Sequence, residues 1–164
     1  MWVLGDNIDT DQLAPGAYMK FAIDVIAAHC LEAQWPDFAA TVKPGDIVVA
    51  GRNFGCGSSR EQAVAALKHL GIQAVIAQSF AGLFYRNTVN LGLLALRADH
   101  ALTLADQTIE TIEPSLGEIH CRACSIACDP VPDFLLEIIN VGGLLPHLKR
   151  RSPPSGDDPN GSAA

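Results

Sequence analysis

The residues best suited to chemistry form one run, Gly51-Arg52-Asn53-Phe54-Gly55-Cys56-Gly57-Ser58-Ser59-Arg60. An apolar stretch at 47–50 precedes it, and helix formers fill 60–70. Strand, glycine loop and helix start together make an anion site. The first amide N–H groups of the helix lack partners, and its dipole favours negative charge. No Gly-Lys-Ser/Thr closes a Walker loop, and the third glycine of a dinucleotide fingerprint is missing. Gly-x-Ser-x-Gly is absent too, which excludes a hydrolase elbow here. What remains is a Ser-Ser-Arg at the helix start.

Arg60 at the first helical turn runs against the dipole, which favours acids at that end. An anion between guanidinium and helix start resolves the conflict, and the planar fork suits a carboxylate. In such a field Ser58 gives up its proton more readily than in water and becomes a strong base. No His–Asp pair is readable nearby, so nucleophilic catalysis is disfavoured. The plainer reading is helix capping. Ser58 with Glu61, or Ser59 with Gln62, has the spacing of a capping box.

Charge supports an anionic ligand. Between residues 50 and 98 stand Arg52, Arg60, Lys68, Arg86 and Arg97 against Glu61 alone, a net +4 within a chain of net charge −7. That acidic total makes nucleic acid and anionic membrane poor partners. At 164 residues, 49% hydrophobic and 18% charged, the chain is expected to fold as one domain over 1–150. The Pro-, Gly- and Ser-rich stretch 151–164 is expected to be a disordered tail. The first residues carry neither a basic region nor a long apolar run, and the five cysteines are an odd count. A cytoplasmic protein with reduced thiols is therefore expected.

The elements that must position the loop read as β-α-β-α-β. A turn at 43–46 leads to the strand at 47–50. Helix 60–70 stops at Gly71, and a second buried strand follows at 72–77. A helix capped by Ser79 runs to about Asn90 and stops at Gly92, and a third strand lies near 93–96. Such alternation predicts parallel strands with helical crossovers. Residues 108–112 and 118–120 predict antiparallel strands beside that sheet. Residues 22–32 predict a helix, and 133–149 a closing helix broken near Gly142-Gly143. The expected fold class is α/β with a mixed, partly parallel sheet flanked by helices.

Asn53-Phe54-Gly55-Cys56-Gly57-Ser58-Ser59-Arg60-Glu61-Gln62-Ala63 resembles the signature of 3-isopropylmalate dehydratase small subunits, the family of the swivelling C-terminal domain of aconitase. The likeness extends to Gly5-Asp6-Asn7-Ile8-Asp9-Thr10-Asp11, Ile76-Ala77-Gln78-Ser79-Phe80-Ala81, Asn90-Leu91-Gly92-Leu93 and Gly142-Gly143-Leu144-Leu145. It implies a β/β/α swivelling domain and a hydro-lyase that isomerises a hydroxyacid by removing and re-adding water. By this resemblance Ser58 matches the proton-abstracting serine and Arg60 the carboxylate clamp. Ser59 adds a hydrogen bond, and Asp11 lies beside the site. Tyr18, Met19 and Lys20 occupy the loop that reads the substrate side chain. A [4Fe-4S] cluster is implied on a separate large subunit, without which the chain is inactive. The aconitase type carries an arginine just after the Lys-Phe pair, whereas Lys20-Phe21 is followed by Ala22. That departure points to an apolar γ-substituent, as in 2-isopropylmalate. The alternatives are another alkylmalate such as 2,3-dimethylmalate, homoaconitate, or a non-catalytic anion-binding domain.

Other residues admit plainer readings. Cys121-x-x-Cys124-x-x-x-Cys128 with His120 has the spacing of a metal knuckle, but three buried or half-buried thiols are expected in preference. Cys56 and Cys30 read as packing. Asp6, Asp9 and Asp11 lack the glycine of a calcium loop, so Asp9 is read as a turn cap and Asp11 as orienting an arginine. His29, His69, His100 and His147 share no motif and read as surface or satisfied histidines.

Overall fold

Val48, Val49 and Ala50 are all fully buried, yet they face two different cores. They belong to the computed structural model of the chain, which describes residues 1–151. The parallel sheet consists of β1 (Trp2–Val3), β2 (Ile47–Ala50), β3 (Ala74–Ala77) and β4 (Leu94–Arg97), in that spatial order. Val48 pairs with Trp2 on one side and Val75 on the other, and Val75 pairs with Ala95. Strands buried on both faces read as continuous apolar runs, which is why 47–50 and 74–77 show no alternation.

Helices cover one face. They are α1 (Thr10–Leu13), α2 (Ile23–Ala28), α3 (Phe38–Thr41), α4 (Glu61–His69) and α5 (Gly82–Leu91). Val48, Ala50, Val75 and Ala77 meet Ile26, Phe38, Val64, Leu67 and Phe84 in that core. On the other face lies a three-stranded antiparallel sheet of β5 (Ile109–Glu113), β6 (Glu118–Cys121) and β7 (Ser125–Ala127). Val49, Ile76 and Leu96 pack there against Ile119, Ile126 and Val131. The result is a three-layer β/β/α arrangement, with parallel and antiparallel strands in separate sheets. The chain closes with α6 (Asp133–Asn140) and α7 (Leu144–Arg151), broken at Gly142-Gly143 as expected.

Several expectations need correction. The two-residue β1 and the three-residue β7 were not foreseen. Runs this short carry no period, and tertiary pairing decides them. The helix expected at 22–32 ends at Ala28, because Leu31 adopts a left-handed φ of 60°. Ser79 does not cap α5. Ala81 is the N-cap residue, and the Ser79 hydroxyl instead accepts the Asn53 N–H at 2.8 Å. Arg151 lies in α7, and the rest of the expected tail, 152–164, falls outside the described residues.

Two distant glycine motifs meet in space. Gly92 ends α5 at φ 72°, and a Cβ there would sit 2.4 Å from the Gly142 carbonyl carbon. A Cβ on Gly143 would sit 2.3 Å from the Asn90 carbonyl oxygen. Lys68 Nζ closes the junction by donating to the carbonyls of Leu91 at 2.5 Å and Gly142 at 3.0 Å. Close backbone approach therefore explains why both motifs contain glycine.

Candidate functional site

The loops leaving β1, β2 and β3 at their C-terminal ends continue the strand ladders beyond the sheet. Asn7 N–H donates to Arg52 O at 2.8 Å, Gly55 N–H to Ile8 O at 2.7 Å, and Phe54 N–H to Ser79 O at 2.9 Å. Asn7 and Asn53 both have positive φ, and Asn53 Nδ2 donates to Asn7 Oδ1 at 3.0 Å. Asparagine tolerates that backbone better than other side chains. Phe54 is fully buried against Phe84, ring centroids 5.2 Å apart, and anchors the glycine loop from beneath. Asp6 accepts the Arg52 N–H at 2.7 Å, in space that a Cβ on Gly51 would fill.

On this edge Ser58 and Ser59 are exposed and Arg60 is half-buried. Neither serine forms the capping box that the spacing allowed. The N-cap residue of α4 is Arg60 itself, in an extended conformation and with no side-chain cap bond. The helix therefore starts with its amide dipoles uncapped, as an anion site requires. Thr10, only 2% exposed, donates its hydroxyl to the Ser58 carbonyl at 2.9 Å and lies 3.5 Å from Ser58 Oγ.

Arg60 Nη1 donates to the Asp11 carboxylate and, at 2.9 Å, to the Ala14 carbonyl. Asp11 also accepts the Gly16 N–H at 3.1 Å. The Arg60 hydrogen bond is the main reason the Asp11 carboxyl lies below the ordinary carboxylate range; it outweighs an opposing desolvation, and the Arg60 charge and the Gly16 N–H add to it. Among the described residues both side-chain hydrogen bonds of Arg60 leave from Nη1, so the Nε–Nη2 edge faces no protein acceptor. That edge is the bidentate face for a carboxylate. Asp9 caps α1 in a complete capping box with Gln12, as its turn-cap reading required.

The loop after α1 turns through a 3-10 segment at Gly16–Tyr18. Its Gly16 lies beside Asp11 and Arg60, since a Cβ there would be 3.4 Å from Asp11 Oδ1 and 3.8 Å from Arg60 Nη2. Tyr18 and Met19 are half-buried against the helical core. Lys20 is exposed, its ammonium 5.3 Å from the centre of the Phe21 ring. Among the described residues, Tyr18, Met19 and Lys20 make no side-chain hydrogen bond to Ser58, Ser59 or Arg60. The structure thus pairs Arg60 with Asp11, links Ser58 to Thr10, and brings Gly16, at the start of the 16–20 segment, beside Asp11 and Arg60. Thr10, the Ala14 carbonyl and the Tyr18–His29 stack (centroids 3.6 Å apart) were not singled out from sequence. Only Thr10 left a trace there, as the residue between Asp9 and Asp11.

Of the three hairpin cysteines Cys121 is buried and Cys128 half-buried, but Cys124 is exposed, contrary to expectation, because it sits in the turn. Cys121 and Cys124 bracket the β6–β7 hairpin turn, where Cys121 N–H donates to Cys124 O at 2.7 Å. Among the described residues no group of three or more His, Cys, Asp or Glu side chains could hold a metal ion, so they do not fit an iron–sulfur cluster. Burial pushes the Cys30 thiol up to about 12 and, with Asp9 adding, raises Cys56. Neither is poised as a thiolate. No described helix is long and apolar enough to cross a membrane.

Comparison with known proteins shows the family to which this fold belongs. The aconitase C-terminal domain family matches residues 25–101. The chain is 45% identical to the methanogen homoaconitase small subunit of Methanothermobacter thermautotrophicus over 150 residues, covering 90% of this chain and 87% of that one. It is 45% identical to the 3-isopropylmalate dehydratase small subunit of Syntrophus aciditrophicus over 157 residues, 93% and 95% of the two chains. The crystal structure of 3-isopropylmalate dehydratase from Methanocaldococcus jannaschii superposes with a TM-score of 0.81 at 41% identity, covering 92% of this chain and 91% of that one. Fold and family match thus define a domain of the aconitase C-terminal type. The chain belongs to the 3-isopropylmalate dehydratase small-subunit family, within the hydro-lyases.

Proposed function

We propose that the chain is the small subunit of a hydro-lyase that converts 2-isopropylmalate to 3-isopropylmalate, the branched-chain isomerisation of leucine biosynthesis. The observation that carries this reading is the uncapped start of α4. It presents Ser58 on an open edge, next to an Arg60 whose free fork is aimed by Asp11 and Ala14. Arg60 holds a substrate carboxylate, and Ser59 adds a hydrogen bond. The Ser58 alkoxide, stabilised by the guanidinium and the helix dipole, takes the carbon-bound proton and becomes the hydroxyl. The electron pair forms the double bond as the neighbouring hydroxyl leaves as hydroxide; on re-addition hydroxide bonds the carbon that lost the proton, and Ser58 returns its proton to the carbon that lost the hydroxyl, regenerating the alkoxide. The [4Fe-4S] cluster expected on the aconitase-like large subunit supplies Lewis-acid chemistry at the departing hydroxyl. This chain contributes the base and the clamp. The openness of the edge fits a site completed by that second subunit.

Homoaconitate is a second reading, favoured by two observations. One relative at 45% identity is named for it, and Lys20 is an exposed cation in the substrate-reading segment. Against it, Ala22 stands where the aconitase pattern has arginine. The test is co-expression with an aconitase-like large subunit, following ultraviolet absorbance of the unsaturated intermediate. Turnover of 2-isopropylmalate above dimethylmalate and homoaconitate supports the proposal. Preference for homoaconitate, lost in Lys20→Val, supports the second reading. No turnover of any of them by a cluster-loaded complex overturns both.

A further inference from the structure

We propose that His29, held by Glu32, is a positioning residue that fixes the Tyr18 ring and so sets the space for the substrate's side chain. The inference rests on the reading of 18–20 as the substrate-reading segment, and it reassigns a histidine that sequence alone treats as incidental. Three observations carry it. The Tyr18 and His29 rings lie parallel, 5° apart with centroids at 3.6 Å. On its other side the imidazole is tethered, with His29 Nδ1 2.5 Å from Glu32 Oε2. That contact makes Nδ1 the protonated donor and fixes the ring plane.

The third observation is backbone strain between the two tethering residues. Leu31 adopts φ 60°, which a leucine rarely does. Its side chain is fully buried, and its N–H donates to Gln12 O at 2.7 Å. The turn is therefore over-determined by α1 and the core, and it directs Glu32 back onto His29. Glu32 also joins Asp9, Asp11, Gln12 and Pro15 around a depression of about 260 Å³. The turn that carries Glu32 is thus tied, through Leu31 N–H to Gln12 O, to α1, the helix that carries Asp11. A tyrosine free to change rotamer would admit side chains of several shapes, whereas a clamped ring accepts one.

The test uses the assembled complex with His29→Ala and His29→Phe, the latter restoring a flat ring without the Glu32 bond. For His29→Ala we expect KM for the preferred substrate to rise about tenfold and discrimination among side chains to fall by a similar factor. kcat for a malate bearing only a methyl group should stay within about twofold of wild type. His29→Phe, which can stack but lacks the Glu32 tether, should recover only part of the discrimination, and full recovery overturns the role given to Glu32. Unchanged discrimination in His29→Ala, or an equal kcat loss on all substrates, overturns the proposal. A readout without turnover separates it from the reaction itself. In the full chain, Tyr18 should shift the His29 ring protons upfield in NMR spectra. Glu32→Ala should reduce that shift, and persistence of the full shift overturns the clamp even if the complex turns over nothing.

Discussion

The Thr10 hydroxyl donates to the Ser58 carbonyl at 2.9 Å while its oxygen stands 3.5 Å from the Ser58 hydroxyl. A buried residue of α1 therefore sets the backbone, and by proximity the rotamer, of the exposed serine on the neighbouring loop. Thr10→Val keeps the shape and removes the donor. It should cost about 1 kcal/mol of stability and lower kcat about tenfold by loosening Ser58. Chemical denaturation and steady-state kinetics read the two effects separately, and an unchanged kcat would contradict the role given to Thr10.

Asp11 holds Arg60 in place, and its lowered pKa gives the pairing a pH signature. The contribution is present above the ordinary carboxylate value of 3.8 and is lost as pH falls through the lower folded value. The Asp11 side chain is 64% exposed, so solvent screening keeps the effect small. Asp11→Asn should melt slightly below wild type at neutral pH, and the two melting curves should converge as pH drops below 3.8. At neutral pH the looser arginine should raise KM about fivefold. Thermal melts across pH, paired with kinetics, check both.

Gly55 has φ 76°, and a Cβ there would lie 2.1 Å from Phe84 Cγ. Gly55→Ala should therefore destabilise by about 3 kcal/mol or more, combining left-handed strain with overpacking. Because the displaced loop carries Ser58, activity should fall even under conditions where the variant stays folded. Denaturation midpoints and residual kcat test the two parts.

The hairpin cysteines should be dispensable for chemistry. Cys124 is exposed, while burial, aided by the Cys124 thiol, pushes Cys121 up to about 11. Cys124→Ser should leave activity within about twofold and stability unchanged, as for an ordinary surface substitution. The purified chain alone should be colourless. Stoichiometric iron with a visible absorption band would instead identify 121–128 as a cluster ligand set.

The parallel strands and the two long crossover helices could be read from composition, because buried apolar runs and glycine stops mark them at 47–50, 74–77 and 61–69. The start of α4 could not. Ser58 and Ser59 have capping-box spacing, and only tertiary geometry shows that Thr10 engages the Ser58 carbonyl while both serines stay exposed and neither caps α4. The short strands at Trp2–Val3 and Ser125–Ala127 were equally hidden, since pairing with β2 and β6 decides them. Ser58 and Arg60 stood out because an arginine at a helix start runs against the dipole, Asp11 was expected beside them from the family resemblance, and the structure pairs Arg60 with Asp11. His29 did not stand out, because a lone histidine gains meaning only from the Tyr18 ring and the Glu32 carboxylate that fold against it.

The measurement that bears most directly on the central claim is the kinetics of Ser58→Ala in the assembled, cluster-loaded complex. A serine that removes the substrate proton predicts a kcat loss of about a thousandfold with KM changed only a few-fold. Turnover within about tenfold of wild type, with substrate binding still abolished by Arg60→Ala, would contradict the account and leave the chain an anion-binding subunit whose base lies elsewhere.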